Sequence, residues 1–246
     1  MIITLTAYRR PYTLERIMES FHAARKQLDE PIYLFAGIEP CEGTDARNVG
    51  TILKHEEAND IHVTKVNTTR LGLQANAYWT MQWAWNYADR LGEDFILHGE
   101  DDRLLAPDAL VLAAWMRDEY RSDEEVAFVT MKGLLNPNPE DSLAVMKHRG
   151  FTTGWFGYWH RTWKDLIVEG WDHGNSSSFD QNLEDEMLMR DQVQVHPVVS
   201  RSRHLWEDGE HAVHYTSGTG DPARELCLFA GDIDIPDEDY WELKRG

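Results

Sequence analysis

The chain has 246 residues, enough for one large or two small domains, and its 42% hydrophobic content is ample for a buried core. A net charge of −19 speaks against general nucleic-acid binding, in which cationic side chains neutralise phosphates. Cys41 and Cys227 make no disulfide framework and lack metal-ligand spacing. The opening Met1-Ile2-Ile3-Thr4-Leu5-Thr6 is too short and uncharged for a signal sequence, and no stretch approaches a membrane span, so we expect a soluble protein of a reducing, cytoplasmic compartment.

Ile2–Ala7 predicts a first, buried strand. Tyr8-Arg9-Arg10-Pro11 follows as a loop with two cations and a proline that can open a helix. Leu14, Ile17, Met18 and Phe21 then recur at helical spacing over residues 14–26. Two arginines at a strand-to-helix junction suit a diphosphate; surface charge is the plain alternative. Residues 31–37 predict a second strand, with Glu39 beyond its tip, either a solvated loop acid or an acceptor for a uracil or guanine ring N–H. Residues 46–57 predict a helix and 61–66 a third strand. A turn-rich loop, Asn67-Thr68-Thr69-Arg70-Leu71-Gly72, leads into a long aromatic helix over 74–91. Arg70 and Asn76 lie near its N-terminus, where a phosphate or sugar can sit.

The chain is organised around the next stretch. Phe95-Ile96-Leu97 runs through His98-Gly99 into three consecutive acids, Glu100-Asp101-Asp102, and then Arg103-Leu104-Leu105-Ala106-Pro107-Asp108 turns into a helix over 107–120. A buried strand therefore ends in a carboxylate cluster at its C-terminal tip, the edge where open α/β sheets bind ligands. Adjacent carboxylates repel one another, and hard oxygen ligands suit Mg²⁺ or Mn²⁺ sharing coordination with substrate phosphates; a solvated acidic turn is the alternative.

Residues 125–131 predict another strand, and 132–142 a loop. The repeated strand–helix alternation predicts a mostly parallel sheet. Phe151-Thr152-Thr153-Gly154-Trp155-Phe156-Gly157-Tyr158-Trp159 is poor as a regular strand. Its glycines would let a ligand approach the backbone and its aromatics would stack on a sugar, unless it is a packed, bulged edge strand. A short helix over 161–168 comes next. Residues 179–190 predict a helix with acids at its N-terminal end, serving either as caps or, in one case, as a general base. Residues 193–199 predict a last strand. His204, His211 and His214 follow, from which one metal ligand can come. Lys147, His148, Arg149, Arg161, Lys164, Arg201 and Arg203 would form a basic rim if the acceptor were a nucleic-acid base, a partner that the net charge disfavours.

In this order the segments resemble the GT-A glycosyltransferases, and among them the N-acetylglucosaminyltransferase I family. Glu100-Asp101-Asp102 with Leu104-Leu105-Ala106-Pro107-Asp108 is similar to that family's EDD metal motif and following turn. Thr153-Gly154-Trp155-Phe156-Gly157-Tyr158 is similar to its Gly-rich segment, Leu183-Glu184-Asp185-Glu186-Met187 to its acidic pair, and His196-Pro197-Val198-Val199-Ser200-Arg201 to the strand before its donor loop. The resemblance implies an α/β GT-A fold: a Rossmann-like, mostly parallel central sheet flanked by helices, with a small antiparallel C-terminal portion. It implies one domain over 1–246, with a nucleotide-binding half (1–105), an acceptor-side half (106–215) and an acidic tail (216–246). It also implies Mn²⁺ or Mg²⁺ and a nucleotide-sugar donor, UDP-linked.

By the same resemblance Asp102 would bind the metal directly; the residues themselves offer His211 or His214 as a further ligand. Glu100 and Asp101 would contact ribose or metal-bound water, and Glu39, where the family has Asp, would read the uracil. Tyr8, Arg9, Arg10, Arg70, Gly154 and Trp155 would complete the donor site, and Asp185, paired with Glu184, would be the catalytic base. The implied reaction is inverting transfer to a hydroxyl acceptor, with no membrane partner. Two other classes remain open on the residues alone: a metal-dependent nucleotidyltransferase or phosphohydrolase, and a non-catalytic carbohydrate- or nucleotide-binding protein. Against the nucleotidyltransferase, the loop after the first strand, Ala7-Tyr8-Arg9-Arg10-Pro11, has no glycine.

Overall fold

The computed structural model describes residues 1–133, 143–171, 179–205 and 242–243. Its strands are β1 (Ile2–Ala7), β2 (Tyr33–Ile38), β3 (Ile61–Val66), β4 (Phe95–Glu100), β5 (Arg103–Leu105), β6 (Val126–Thr130), β7 (Ala144–His148), β8 (Phe156–Trp159), β9 (Val193–Pro197), β10 (Ser202–His204) and the two-residue β11 (Glu242–Leu243). The helices are α1 (Pro11–Arg25), α2 (Asp45–Lys54), α3 (Leu73–Leu91), α4 (Ala109–Glu119), α5 (His160–Thr162), which continues through a π-helical turn (Trp163–Ile167) into α6 (Val168–Gly170), and α7 (Phe179–Met189).

Nine strands form one mostly parallel sheet in the order β11-β7-β9-β6-β8-β4-β1-β2-β3, and β5 pairs with β10 in a small antiparallel sheet. On one face Leu14, Ile17, Met18 and Phe21 of α1 pack with Ile52 of α2 and Leu110, Ala113 and Met116 of α4. On the other face Ala77, Met81, Ala84 and Trp85 of α3 pack with Trp163, Leu166 and Leu183. A sheet covered on both faces explains why its strands read as apolar runs rather than as alternating patterns. Along β4, Phe95 and Leu97 serve the first core and Ile96 the second.

Several elements differ from the sequence expectation. The aromatic stretch over 151–159 holds a central strand, not an edge. β8 lies between β4 and β6 and runs antiparallel to both. Gly157 makes this possible: a Cβ there would lie 2.2 Å from the Phe95 ring, so the bare backbone is what admits that ring between neighbouring strands. Leu104 and Leu105, expected in a turn, form β5, because Ser202, Arg203 and His204 pair with Leu105, Leu104 and Arg103. β7 was not foreseen; it adds antiparallel to β9. The strand order turns back at β1, between β2 and β4, so the tips of β1 and β4 flank a topological switch point.

Candidate active site

The loop after β1 and the tip of β4 meet at that switch point. The Tyr8 amide donates to Asp101 Oδ2 at 2.6 Å, which ties the two strand ends together. Arg10 ends this loop, and Pro11 opens α1 directly after it. The Arg10 guanidinium lies 3.1 Å from Asp102 Oδ2 and 3.7 Å from Asp101 Oδ1. Arg9 takes the left-handed φ of 59°, uncommon for a side chain with a Cβ. Its guanidinium sits 5.1 Å from the Tyr8 ring centre, and that of Arg70, from the loop before α3, sits 4.6 Å from the same ring. The fold thus gathers Tyr8, Arg9, Arg10, Arg70, Asp101 and Asp102 from three loops into one site.

Burial and mutual repulsion set the protonation of the acids. Burial, with the charges of Asp102 and Asp101, pushes Glu100 well above the carboxylate range. Burial and Asp102 raise Asp101 to about 7, against the opposing pull of Arg10 and the Tyr8 amide. Burial also disfavours the Asp102 charge, but the hydrogen bond and charge of His204, with Arg103 and Arg10, outweigh it and hold Asp102 below its usual range. His204 Nε2 lies 3.2 Å from Asp102 Oδ2, and the Leu205 amide donates to the Asp102 carbonyl at 2.7 Å. Of the three histidines expected near the end of the fold, His204 is the one that the described residues bring to the acids. Its signal is the β10–β5 register, which sets it opposite Arg103. His211 and His214 lie outside the described residues.

Asp102 Oδ1 is buried and has no hydrogen-bond partner. A buried carboxylate oxygen without a donor, on the acid whose charge raises both its neighbours, fits a divalent cation. Among the described residues no three His, Cys, Asp or Glu side chains already surround one point. Mg²⁺ and Mn²⁺ are the ions that take one or two carboxylates and fill the remaining positions with phosphate oxygens and water.

Three expected donor contacts turn out to have other work. Glu39 is 3% exposed and accepts the Leu71 amide at 2.9 and 3.2 Å, with Gly72 and Asn67 as further donors. It thus anchors the turn that carries Arg70. Trp155 is 1% exposed; its ring stacks on Phe21 at 6.2 Å and its Nε1 donates to the Arg103 carbonyl at 2.9 Å, leaving no face for a sugar. Gly154, at φ +83°, makes room for protein: a Cβ there would meet Arg103 Nε at 1.9 Å.

Gly99 does the same for Trp155, whose ring would come within 2.7 Å of an added Cβ and, backed by Phe21, has no space to retreat. Gly99→Ala is therefore expected to destabilise the fold by roughly 1–3 kcal/mol, lowering the melting temperature by about 4–8 °C on a circular-dichroism melt. An unchanged melt would show that the Trp155 ring yields freely.

The acids of α7 divide by helical face. Glu184 is half-buried, with Oε1 3.5 Å from the point where a Gly150 Cβ would sit. Asp185 is exposed and accepts from Gln181 at 3.4 Å. Asp180 shares the Glu184 face four residues earlier, about 6 Å along the axis. Gly150 lies beside Glu184 and Gly154 beside Arg103, and the Asp180 charge is one of those that raise Glu100.

Four of the seven residues expected in a basic rim are engaged within the fold. Lys147 is held by Asp123 and Glu125, Arg149 by Asp191, Arg161 by the carbonyls of Tyr120, Arg121, Asp123 and Val126, and Arg201 is buried on Asp108. Local acids and carbonyls thus take up cations that a polyanion would need.

The helix-flanked, mostly parallel sheet with a small antiparallel sheet beside it is a mixed α/β fold that recurs in solved structures. The chain is similar in structure to residues 1–349 of TarS from S. aureus, with a TM-score of 0.58 and 13% identity over 94% of this chain and 69% of that one. The same TarS segment in complex with UDP aligns with a TM-score of 0.58 and 13% identity, over 93% of this chain and 69% of that one. A longer TarS structure aligns with a TM-score of 0.55 and 14% identity over 93% of this chain, which spans 42% of its length. No protein-family model matches the sequence, and no curated protein is similar to it in sequence. Among the described residues no helix is long and apolar enough to cross a membrane.

Proposed function

We propose that the chain is an inverting, divalent-metal-dependent glycosyltransferase that moves a sugar from a UDP-linked donor to a hydroxyl acceptor. The observation that carries this reading is the meeting of Tyr8, Arg10, Asp101, Asp102 and His204 at the switch point of the sheet. The fold is shared with a protein solved in complex with UDP. Asp102, with His204 beside it, would hold the cation, and Arg9, Arg10 and Arg70 would face the diphosphate. When bound, the cation supplies charge neutralisation at the departing phosphate.

The chain's own residues do the rest. The arginines stabilise the negative charge that builds on the diphosphate as the sugar–phosphate bond breaks. On the other face of the sugar an α7 carboxylate takes the proton from the acceptor hydroxyl as its oxygen bonds to the anomeric carbon. One displacement of this kind inverts that centre. The resemblance assigns the base to Asp185, with Glu184 next to it. The helix face and the charge felt at Glu100 favour Asp180, and we place the base there.

With a panel of UDP-sugars, scored by release of UDP, Asp180→Asn is expected to lower turnover roughly 10²–10⁴-fold while leaving UDP affinity in place. Asp185→Asn is expected to stay within about threefold of wild type. The reverse ranking would return the base to Asp185, and turnover of no donor at all would sink the transferase reading.

A further inference from the structure

We propose that Arg10 is an exchangeable counter-ion: it occupies Asp102 before the donor arrives, and transfers to the donor's diphosphate when a divalent cation takes that carboxylate. The inference rests on the donor-site reading above. Asp102 Oδ2 is shared by two groups, Arg10 at 3.1 Å and His204 at 3.2 Å, while Oδ1 is buried without a donor. A divalent ion on this carboxylate would sit about 2.1 Å from its oxygen. That places it within about 4–5 Å of the Arg10 guanidinium, where two positive charges repel strongly in a partly buried site. Both cannot keep Asp102.

Arg10 is built to leave. Its side chain is 17% exposed, its backbone caps α1 without any side-chain capping bond, and its other acidic neighbour, Asp101, is at the longer distance of 3.7 Å. Pro11 fixes the chain immediately after it, so the guanidinium swings about a rigid base. It swings within a loop that already presents Arg9 beside Tyr8, with Arg70 over the same ring. A diphosphate there accepts Arg10 in the bidentate manner that guanidinium favours.

The binding signature follows. Metal alone must displace Arg10 with no new partner for it, so it binds weakly. Metal and nucleotide together let Arg10 exchange one anion for another, so each strengthens the other. Removing the arginine should therefore help one ligand and harm the other, a sign pattern that loss of folding does not produce; loss of a neighbouring positive charge acting through space has the same signs, and a control arginine off the carboxylate separates it by size.

The test is a titration of Mn²⁺ followed by the electron paramagnetic resonance signal of the free ion, with and without UDP, on the full chain. Arg10→Gln is expected to tighten Mn²⁺ alone about 5–10-fold and to weaken UDP in the presence of Mn²⁺ at least about 10-fold. Arg47→Gln removes the same charge from α2, where it lies over Tyr12, and should change Mn²⁺ affinity less than about twofold. Arg10→Lys, whose single ammonium replaces the planar fork, should fall between wild type and Arg10→Gln, and it carries the test if the glutamine variant does not fold. If wild type binds Mn²⁺ and UDP but the Arg10 variants leave Mn²⁺ affinity unchanged or weaker, the exchange is wrong and the donor site stands. If wild type binds neither ligand, the donor-site reading and the exchange fall together.

Discussion

Asp102→Ala is expected to abolish metal-dependent binding of UDP and to lower turnover of a UDP-sugar by about 10³-fold. That factor corresponds to about 4 kcal/mol of transition-state stabilisation. The size follows from its position. Asp102 is the acid of the cluster held below its ordinary pKa, and so stays charged at neutral pH, whereas burial and like charges raise Glu100 and Asp101. A cation at this strand tip therefore depends on Asp102 first. The fold should survive the change, because Leu205 binds the backbone carbonyl of Asp102 rather than its side chain. Calorimetric titration of UDP with and without Mn²⁺ checks it on wild type and variant, with a circular-dichroism melt as the folding control. Chelation of the metal in wild type should reproduce the variant. Equal UDP affinity in all four conditions would mean that the acids do not serve a cation.

The second large effect concerns stability. Arg201→Met is expected to destabilise the protein by about 3–5 kcal/mol and to lower the melting temperature by roughly 10 °C. Arg201 and Asp108 form an ion pair of 2.7 Å with side chains 0% and 1% exposed. Truncating the arginine strands a buried carboxylate, the costly way to break such a pair. Its Nη1 also donates to the Val199 carbonyl at 2.7 Å. Its backbone links the Ala106 amide to the Met131 carbonyl, so it joins the turn after the acid cluster to the end of β6. The double variant Arg201→Met with Asp108→Leu should recover much of the loss, because it removes both charges together. Thermal melts of the three variants decide it. A single variant as stable as wild type would mean that the Asp108 carboxyl is readily neutralised or hydrated.

Arg201 also shows how sequence reading fails in this chain. Counted with its neighbours it is one more cation near the end of the fold, part of a possible rim for a polyanion. The fold puts it 93 residues from its partner in sequence and out of water. Lys147, Arg149 and Arg161 repeat the lesson with partners 22, 42 and 40 residues away. A sequence displays charge, but whether that charge is available depends on what the fold sets beside it. Trp155 is the aromatic counterpart. Its neighbours Gly154 and Gly157 suggest an open, ligand-approached backbone, yet those glycines make room for Arg103 and Phe95.

What the sequence determined by itself is local and periodic. The apolar runs of β1, β2, β4 and β6, the helical spacing of α1, the long α3 and the three acids at the tip of β4 were all legible, and with them a mostly parallel sheet whose site lies at strand ends. Those features are legible because hydrophobic period and strand-end chemistry are written in neighbouring residues. Tertiary structure alone decided what depends on pairing across long separations. β8 entered the centre of the sheet, β10 met β5 and brought His204 to Asp102, and Glu39 was committed to the Leu71 amide. In each case the residue type was visible in the chain. Its partner was supplied by the fold, and in a strand a shift of one residue turns a side chain to the opposite face.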